Sequence, residues 1–242
     1  MAFGVLTKKQ SSTGKEEMND TRRSFLRLAA AGGALCATGS TTALSAPSID
    51  SGLLDIFAKR QSVRRYKSDP VPEEHLRLIL DAARRSPTSG NQQPWKFLVV
   101  RNPATIERLR VRCLKFYEAN WPKDLPPAEK ASRVENATKR LAGYFSAPVY
   151  VVVLTDSQST YPSYNHHDGP LAAGYLCLAA RALGYGTVYI TDAIPEQATR
   201  EVLSIPERYE RVCITPLGIP DEWPDPMPKK KLEEFVVYES FA

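Results

Sequence analysis

The stretch VYVVVLTD, from Val149 to Asp156, is the strongest strand prediction in this 242-residue sequence. Its first six residues are all apolar, and four of them are valine, a β-branched residue that favours strands. Three further apolar runs, KFLVVR, GTVYI and RVCITPLG, predict strands before and after it. Helical patterns fill the segments between these runs, so strands and helices alternate along the chain.

The helical segments follow from apolar spacing and from start signals. Pro72 followed by Glu73 and Glu74 is typical of a helix start, since acidic side chains are favoured at the positive end of the helix dipole. Helices are also predicted at LLDIFAKR, from Pro103 to about Tyr117, from the end of the proline-rich WPKDLPP to about Phe145, from Gly169 to Leu183, and at PEQATREVLS. The final LEEFVVYE is predicted to be an extended tail with strand character. The alternation contains no internal repeat, which favours an α+β or α/β layered fold in one domain.

Composition argues against a nucleic-acid-binding protein. The hydrophobic fraction of 43% and the charged fraction of 24% are ordinary for a globular protein. The formal net charge is +5, but residues 1–45 carry six basic and three acidic side chains, which leaves an excess of two in the remainder. No basic face interleaved with aromatic residues is visible, so no nucleic-acid partner is expected.

The amino terminus is predicted to be an export signal. TRRSFLR, from Thr21 to Arg27, precedes a mild apolar run rich in Gly, Ala and Thr, a pattern similar to a twin-arginine signal. The run is too weakly apolar for a stable membrane anchor. We therefore expect a signal over 1–45, ending near Ala43-Leu44-Ser45, and a domain over 46–242 that the twin-arginine machinery exports to the periplasm. Met18 is an alternative start, and a tail with a chance Arg-Arg pair is the alternative to a signal.

The cysteine and histidine patterns indicate no metal site. Without the signal, three cysteines remain at positions 113, 177 and 213, with no Cys-x-x-Cys pair, so no disulfide framework is expected. Adjacent histidines on regular structure point in different directions, and His166-His167-Asp168 has no third ligand at suitable spacing. We expect this triplet in a loop, and we find no P-loop and no convincing Ser-His-Asp set.

The string RQSVRRY, from Arg60 to Tyr66, concentrates groups that bind phosphate. If the segment is extended, Arg60, Ser62 and Arg64 point the same way and present guanidinium forks and a hydroxyl together. A solvated basic loop after a helix is the alternative.

The string PTSGNQQPW, from Pro87 to Trp95, offers hydrogen-bonding groups for a planar ring. Hydroxyl and amide groups come from Thr88, Ser89, Asn91 and Gln93, and Gly90 permits a left-handed backbone. Such groups match the carbonyls and ring nitrogens of an isoalloxazine, although an ordinary polar turn has the same composition. A phosphate grip and a ring-binding turn together indicate a flavin site.

Over residues 53–240 the chain resembles the FMN-dependent nitroreductase family. RQSVRRY matches the family's R-x-S-x-R motif, and PTSGNQQPW matches P-S-x-x-N-x-Q-P-W, with Thr88 where serine is commoner. APVYVVVLTD, DGPLAAGYLCLAARALGYGTVYI and PLGIPDEWPDPMPKKKLEEFVVYE resemble its central strand, its long interface helix with the next strand, and its closing tail. The resemblance implies a three-layer α/β/α fold with a mixed central sheet, and a homodimer that exchanges the C-terminal extension.

The resemblance also implies roles for individual residues. Arg60, Ser62 and Arg64 would hold the phosphate and ribityl end of FMN. Thr88, Ser89 and Asn91, with Gln93 beside them, would reach the flavin of the partner subunit. The backbone N–H groups of Thr191 and Asp192 would face its N5 and O4 edge. Lys229, with Lys230 beside it, replaces a phosphate-binding arginine, and lysine offers a point charge rather than a fork.

The implied activity is ping-pong reduction of nitroaromatics, quinones or similar electron-poor acceptors by NAD(P)H or another small-molecule donor. No side chain is expected to be catalytic, because FMN carries the chemistry. Two alternatives remain open: a flavin-dependent dehalogenase or flavin-fragmenting relative, and a non-catalytic flavin-binding envelope protein.

Overall fold

The central sheet has four strands in the order β1-β2-β4-β3. The computed structural model describes residues 51–241, which belong to one compact unit, Ile49–Ala242. The strands are β1 Trp95–Val100, β2 Val149–Asp156, β3 Gly186–Thr187 and β4 Tyr209–Gly218. Their ladders are antiparallel, and a parallel bridge joins Ser62 to Thr187 beside β3. The strand predicted at VYVVVLTD is confirmed over its full length as β2.

Six helices cover the sheet within residues 51–241, and three short 3₁₀ turns lie in the connections. The helices are α1 Ser51–Lys59, α2 Glu73–Ala83, α3 Pro103–Ala119, α4 Pro127–Tyr144, α5 Asn165–Ala182 and α6 Glu196–Leu203. The 3₁₀ turns are Ser89–Asn91, Pro162–Tyr164 and Leu232–Glu234.

Strand β2 separates two apolar cores, and this creates the layers. Its alternate residues Tyr150, Val152 and Leu154 pack with side chains from α3, α4 and α6. Val149, Val151 and Val153 pack on the other face with side chains from α2 and α5. Because successive strand residues point to opposite faces, a continuous apolar run suits a strand covered on both sides. The three-layer α/β/α fold is confirmed.

The structure corrects the sequence-based predictions at three places. Helix α5 begins at Asn165, earlier than the expected Gly169, so His166-His167-Asp168 lies in its first turn and not in a loop. Two buried polar side chains, Asn165 and Asp168, find partners there and extend the helix backwards. The two histidine rings also lie together, 3.8 Å apart between centroids, instead of pointing apart.

The other two corrections concern strands. GTVYI is in a strand only at Gly186–Thr187, and Ile190 rejoins the sheet through an isolated bridge to Ile214. LEEFVVYE contains no strand, because its first residues form the exposed 3₁₀ turn Leu232–Glu234 and the segment pairs with no described strand.

The predicted export signal, residues 1–45, and its boundary with the domain lie outside the described residues. In the described part of the chain, every helix is too short or too polar to cross a bilayer. The homodimer with an exchanged tail stays a prediction.

Candidate functional site

Residues Arg60–Arg64, hereafter the arginine segment, run as an extended strip beside the edge of the sheet. The Val63 N–H donates to the Thr187 carbonyl at 3.0 Å, and farther along the Lys67 N–H donates to the Ile219 carbonyl at 2.9 Å. Val63 is 1% exposed and points into the core. In an extended chain its neighbours Ser62 and Arg64 must then face outward, as the alternation in the sequence predicts.

Ser62 and Arg64 open onto a cavity of about 400 Å³, hereafter the arginine cavity. Arg65 lines the same wall, and the segment Asp221–Asp225 forms the opposite wall. Arg60 does not line the cavity. Within residues 51–241, no carboxylate pairs with Arg60, Arg64 or Arg65, and the Ser62 hydroxyl has no hydrogen-bond partner. The Arg64 guanidinium donates to the Ser62 carbonyl at 3.3 Å and has no carboxylate partner, so with the free hydroxyl it is a fit for a phosphate.

The opposite wall of the arginine cavity is acidic and aromatic. It carries Asp221, Glu222 and Asp225 around the Trp223 ring. The guanidinium of Arg181 lies 3.8 Å from the centre of that ring, a cation–π contact that fixes the wall to helix α5. Carboxylates repel a phosphate, so an anion in this cavity is expected against the arginine wall.

Residues Thr88–Gln93, hereafter the amide turn, have a left-handed backbone at three positions. The φ angles are +57° at Gly90, +54° at Asn91 and +48° at Gln93. Glycine and asparagine tolerate this conformation best, which explains the Gly-Asn pair in the sequence. The Gln93 N–H donates to the Thr88 hydroxyl oxygen at 3.3 Å, and the Gln93 amide donates to the Asn91 side-chain oxygen at 3.2 Å.

Two residues that hold the amide turn are absent from the predicted site. Asp168, which is buried, accepts hydrogen bonds from Ser89 and Gln92, and Gln92 also bonds to the backbone of Tyr161. A carboxylate near the start of a predicted helix was a visible signal in the sequence. Its partner, however, lies 76 positions away, and only the tertiary fold shows that contact.

The loop 191–194 follows the bridge at Ile190 and exposes both Thr191 and Asp192. Within residues 51–241, the backbone N–H groups of these two residues meet no acceptor. Arg211 supports the loop from below, because its guanidinium donates to the Thr191 carbonyl and to the Ile194 carbonyl, the latter at 2.6 Å. Burial lowers the pKa of the Arg211 guanidinium. The loop therefore presents two free N–H donors on a braced backbone.

Lys229 and Lys230 lie on the exposed tail and do not line the arginine cavity. The Lys230 Nζ is 4.0 Å from the Glu234 carboxylate, a contact within the tail itself. Several large apolar side chains of the same tail are open to solvent, with Tyr238 82% and Phe241 90% exposed. One chain thus brings Ser62 and Arg64 together, but it adds neither the amide turn nor the lysines to that cavity.

The remaining candidate chemistry is buried or dispersed. Cys113, Cys177 and Cys213 are all buried free thiols, as the apolar contexts of the last two predicted. Burial raises the pKa of the Cys113 thiol to about 12. In the described part of the chain, no three His, Cys, Asp or Glu side chains come together as a metal-binding group.

Comparison with known proteins relates this geometry to a family. The model of the nitroreductase family matches residues 57–219. A protein named NADH dehydrogenase from Thermus thermophilus is 31% identical over 198 residues, which cover 74% of this chain and 92% of that protein.

Solved structures give the same result. Iodotyrosine deiodinase bound to FMN and 3-iodo-L-tyrosine is 27% identical, with a TM-score of 0.64 over 78% of this chain and all of that one. An FMN-dependent nitroreductase from Clostridium difficile is 26% identical, with a TM-score of 0.59 over 78% of this chain and 99% of that one. The matched residues include the arginine segment, the amide turn and all four strands, and the chain belongs to the nitroreductase family.

Proposed function

We propose that this protein is an FMN-dependent oxidoreductase of the nitroreductase type, which reduces nitroaromatic, quinone or similar electron-poor acceptors. The observation that carries the proposal is the arginine cavity, where guanidinium groups without a carboxylate partner and the free Ser62 hydroxyl face a space large enough for a phosphate. Family membership, one structural neighbour bound to FMN and another described as FMN-dependent support the same cofactor.

When bound, FMN supplies the transfer of an electron pair from the donor to the acceptor. The chain's own residues bind and orient it. Ser62 and Arg64 would hold the phosphate and ribityl end from the wall of the arginine cavity, which Arg60 does not line. The free N–H groups of Thr191 and Asp192 would donate hydrogen bonds to the ring. Fixed donors of this kind stabilise negative charge that develops during reaction without reorganising.

We further propose that the site is completed by a second copy of the chain. Helices α1, α2 and α5 leave an apolar groove of about 430 Å³ that is lined by Leu53, Phe57 and Tyr175, among others. The tail, with Phe235 and Tyr238 exposed, supplies apolar side chains that one chain leaves uncovered. Exposed apolar surface of this kind marks interaction sites. Size-exclusion chromatography with light scattering should give a dimer, and truncation before Leu232 should weaken it.

The test of the cofactor is reconstitution of purified protein with FMN. We expect a bound flavin spectrum and reduction of that flavin by NADH, NADPH or another donor in stopped-flow experiments, followed by reoxidation with a nitroaromatic or a quinone. Arg64→Met should weaken FMN binding, whereas Lys67→Met, an exposed charge removed next to the segment, should leave it unchanged. Protein that binds no FMN would overturn the proposal, and binding without turnover would instead favour a flavin-binding protein that is not an enzyme.

A second candidate activity is reductive dehalogenation of an aromatic ring. It is supported by the likeness to iodotyrosine deiodinase bound to 3-iodo-L-tyrosine, which is 27% identical over 78% of this chain. Parallel assays with 3-iodo-L-tyrosine and with a nitroaromatic separate the two activities. Iodide release at a rate above that of nitro reduction would select the dehalogenase.

We also propose export through the twin-arginine pathway, on the sequence TRRSFLR alone. Replacing Arg22 and Arg23 together by lysine should keep the protein in the cytoplasm, as measured by fractionation. Periplasmic delivery of that variant at the wild-type level would contradict the proposal. A periplasmic enzyme would need a donor other than cytoplasmic NAD(P)H, which makes the stopped-flow comparison of donors informative.

A further inference from the structure

The amide turn is attached to the rest of the chain by a carboxylate that the proposed reaction does not use. Asp168 is 2% exposed and lies in the first turn of α5. Its Oδ1 accepts the Ser89 backbone N–H at 3.1 Å and the Ser89 hydroxyl at 3.4 Å, and its Oδ2 accepts the Gln92 side-chain amide at 2.7 Å. A carboxylate suits this position because all three partners are donors.

Asp168 itself has little freedom to move, because the start of α5 is locked to the sheet. The Asn165 amide donates to the Asp156 carbonyl at the end of β2, at 2.8 Å. At Gly169 a Cβ would lie only 2.4 Å from the Val212 Cγ2 methyl, so helix and sheet are in close contact there. The amide turn is thus attached through Asp168 to the junction between α5 and the sheet.

Gln92 forms a second attachment through the backbone of Tyr161. Its Oε1 accepts the Tyr161 N–H at 2.7 Å, and its Nε2 donates to the Tyr161 carbonyl at 3.1 Å. The Tyr161 ring covers Gly90, where an added Cβ would come within 2.5 Å of the ring. Left-handed backbone at Asn91 and Gln93 persists only where surrounding contacts impose it, and these contacts are the ones that do so.

We propose that Asp168 is a positioning residue of the cofactor site, which through Ser89 and Gln92 holds the amide turn in the shape that the partner subunit's flavin requires. The proposal rests on the proposed function, since it assumes FMN and a dimer. Asp168 touches neither cofactor nor substrate. Its effect on one site is exerted from the other subunit.

The first test compares Asp168→Asn with wild type. The substitution keeps the shape of the side chain but replaces one carboxylate oxygen, an acceptor, by an amide NH₂ group, a donor. This donor then faces the Ser89 N–H or the Gln92 amide, so at least one hydrogen bond is lost. Loss of a hydrogen bond to a charged group should weaken FMN binding by about tenfold or more, as measured by flavin fluorescence titration. Glu107→Gln is the matched control, because it removes a carboxylate paired with Arg110 on α3, which contributes to neither the amide turn nor the start of α5, and it should leave FMN affinity unchanged.

A second variant keeps the proposal testable if Asp168→Asn does not fold. Gln92→Met removes the amide of a half-buried surface residue and leaves the core unchanged. Gln92→Met should weaken FMN binding, as Asp168→Asn should. The role of Asp168 would be overturned if whichever of these two variants folds binds FMN as tightly as wild type.

The decisive test uses hybrid dimers, since a purely structural role within one chain predicts a different result. Co-expression of an Arg64→Met chain with an Asp168→Asn chain, with distinguishable affinity tags, yields dimers with one defect in each subunit. If the amide turn acts on the partner's flavin, one site in each hybrid combines an intact arginine segment with an intact turn. The hybrid should then recover about half of the wild-type flavin content and activity, with wild-type FMN affinity at that site.

A hybrid no better than its two parent homodimers would overturn the proposal, because each subunit would then need its own Asp168. These failures differ from failure of the proposed function. Wild-type protein that binds no FMN refutes the function itself. Wild-type protein that binds FMN while the Asp168→Asn chain binds it equally well refutes only the positioning role.

Discussion

At Gly169 helix α5 lies in close contact with the sheet, and replacement of this glycine by alanine should weaken both the fold and the site. A Cβ built there lies 2.4 Å from the Val212 Cγ2 methyl and 2.9 Å from the Thr155 Cγ2 methyl, whereas ordinary contacts are 3.4–4 Å. Val212 is the extra residue where the β2–β4 register shifts, and Thr155 is only 1% exposed, so the Thr155 methyl has little room to retreat. Overpacking of this kind typically costs about 1–3 kcal/mol.

The opposing contribution is helix propensity, since alanine is favoured over glycine inside a helix by about 1 kcal/mol. Gly174 isolates this contribution, because it lies in the same helix and an added Cβ meets nothing within 4 Å. Gly174→Ala should therefore stabilise the protein by about 1 kcal/mol. Helix propensity contributes equally to the two variants and cancels when they are compared. Their difference in unfolding free energy therefore measures only the steric overlap of the new Cβ at position 169 with the sheet, about 1–3 kcal/mol.

The assay is thermal unfolding followed by circular dichroism, with FMN affinity measured in parallel. A difference of about 2 kcal/mol corresponds to about 4–8 °C in Tm for a domain of this size. Because Gly174 is exposed on α5, measurement at two protein concentrations separates a contact with a partner subunit from an effect within the chain. Gly169→Ala should also weaken FMN binding, since it displaces Asp168. Equal stability of the two alanine variants would refute the close contact between α5 and β4.

Two further predictions concern arginines. Arg211→Met removes the hydrogen bonds to the Thr191 and Ile194 carbonyls. The variant should lose about 2 kcal/mol of unfolding free energy, as measured by urea unfolding, and should bind FMN more weakly. Unchanged FMN affinity would mean that the loop does not face the cofactor. The Arg208 side chain, hydrogen-bonded to Asp156, holds the pKa of that carboxyl below its usual range. A pKa lowered in the folded state gives stability that is present above the ordinary carboxyl pKa and lost as the pH falls through the folded value. Arg208→Met should therefore be less stable than wild type at pH 7, and this difference in unfolding free energy should shrink below about pH 4. A difference in unfolding free energy that does not change with pH would show that the ion pair is not the cause of the lost stability.

Local chemistry explains what could be predicted before the structure. The apolar run at Val149–Asp156 predicted its own strand, because a strand covered on both faces needs apolar residues at every position. Pro72, Glu73 and Glu74 predicted the start of α2. Strand alternation predicted that Arg60, Ser62 and Arg64 share a face, and Ser62 and Arg64, but not Arg60, line the arginine cavity.

Long-range contacts explain what could not be predicted. The early start of α5 depends on buried partners for Asn165 and Asp168, and the tail sequence LEEFVVYE has strand composition but no neighbouring strand in the described chain. Asp168 and Gln92 were missed for the same reason, because the role of each depends on their mutual hydrogen bond across 76 positions, although Gln92 itself lies within PTSGNQQPW.

The sequence by itself determined the family, the strand at VYVVVLTD and the two motifs that carry the candidate site, since propensity and side-chain alternation act over a few neighbouring residues. Only the tertiary structure decided that the arginine segment lines a cavity while the amide turn does not, and that Asp168 holds this turn from a distant helix. Such contacts arise when packing of α5 against the sheet brings remote segments together. A hydrogen bond between residues 76 positions apart has no local signature in the chain.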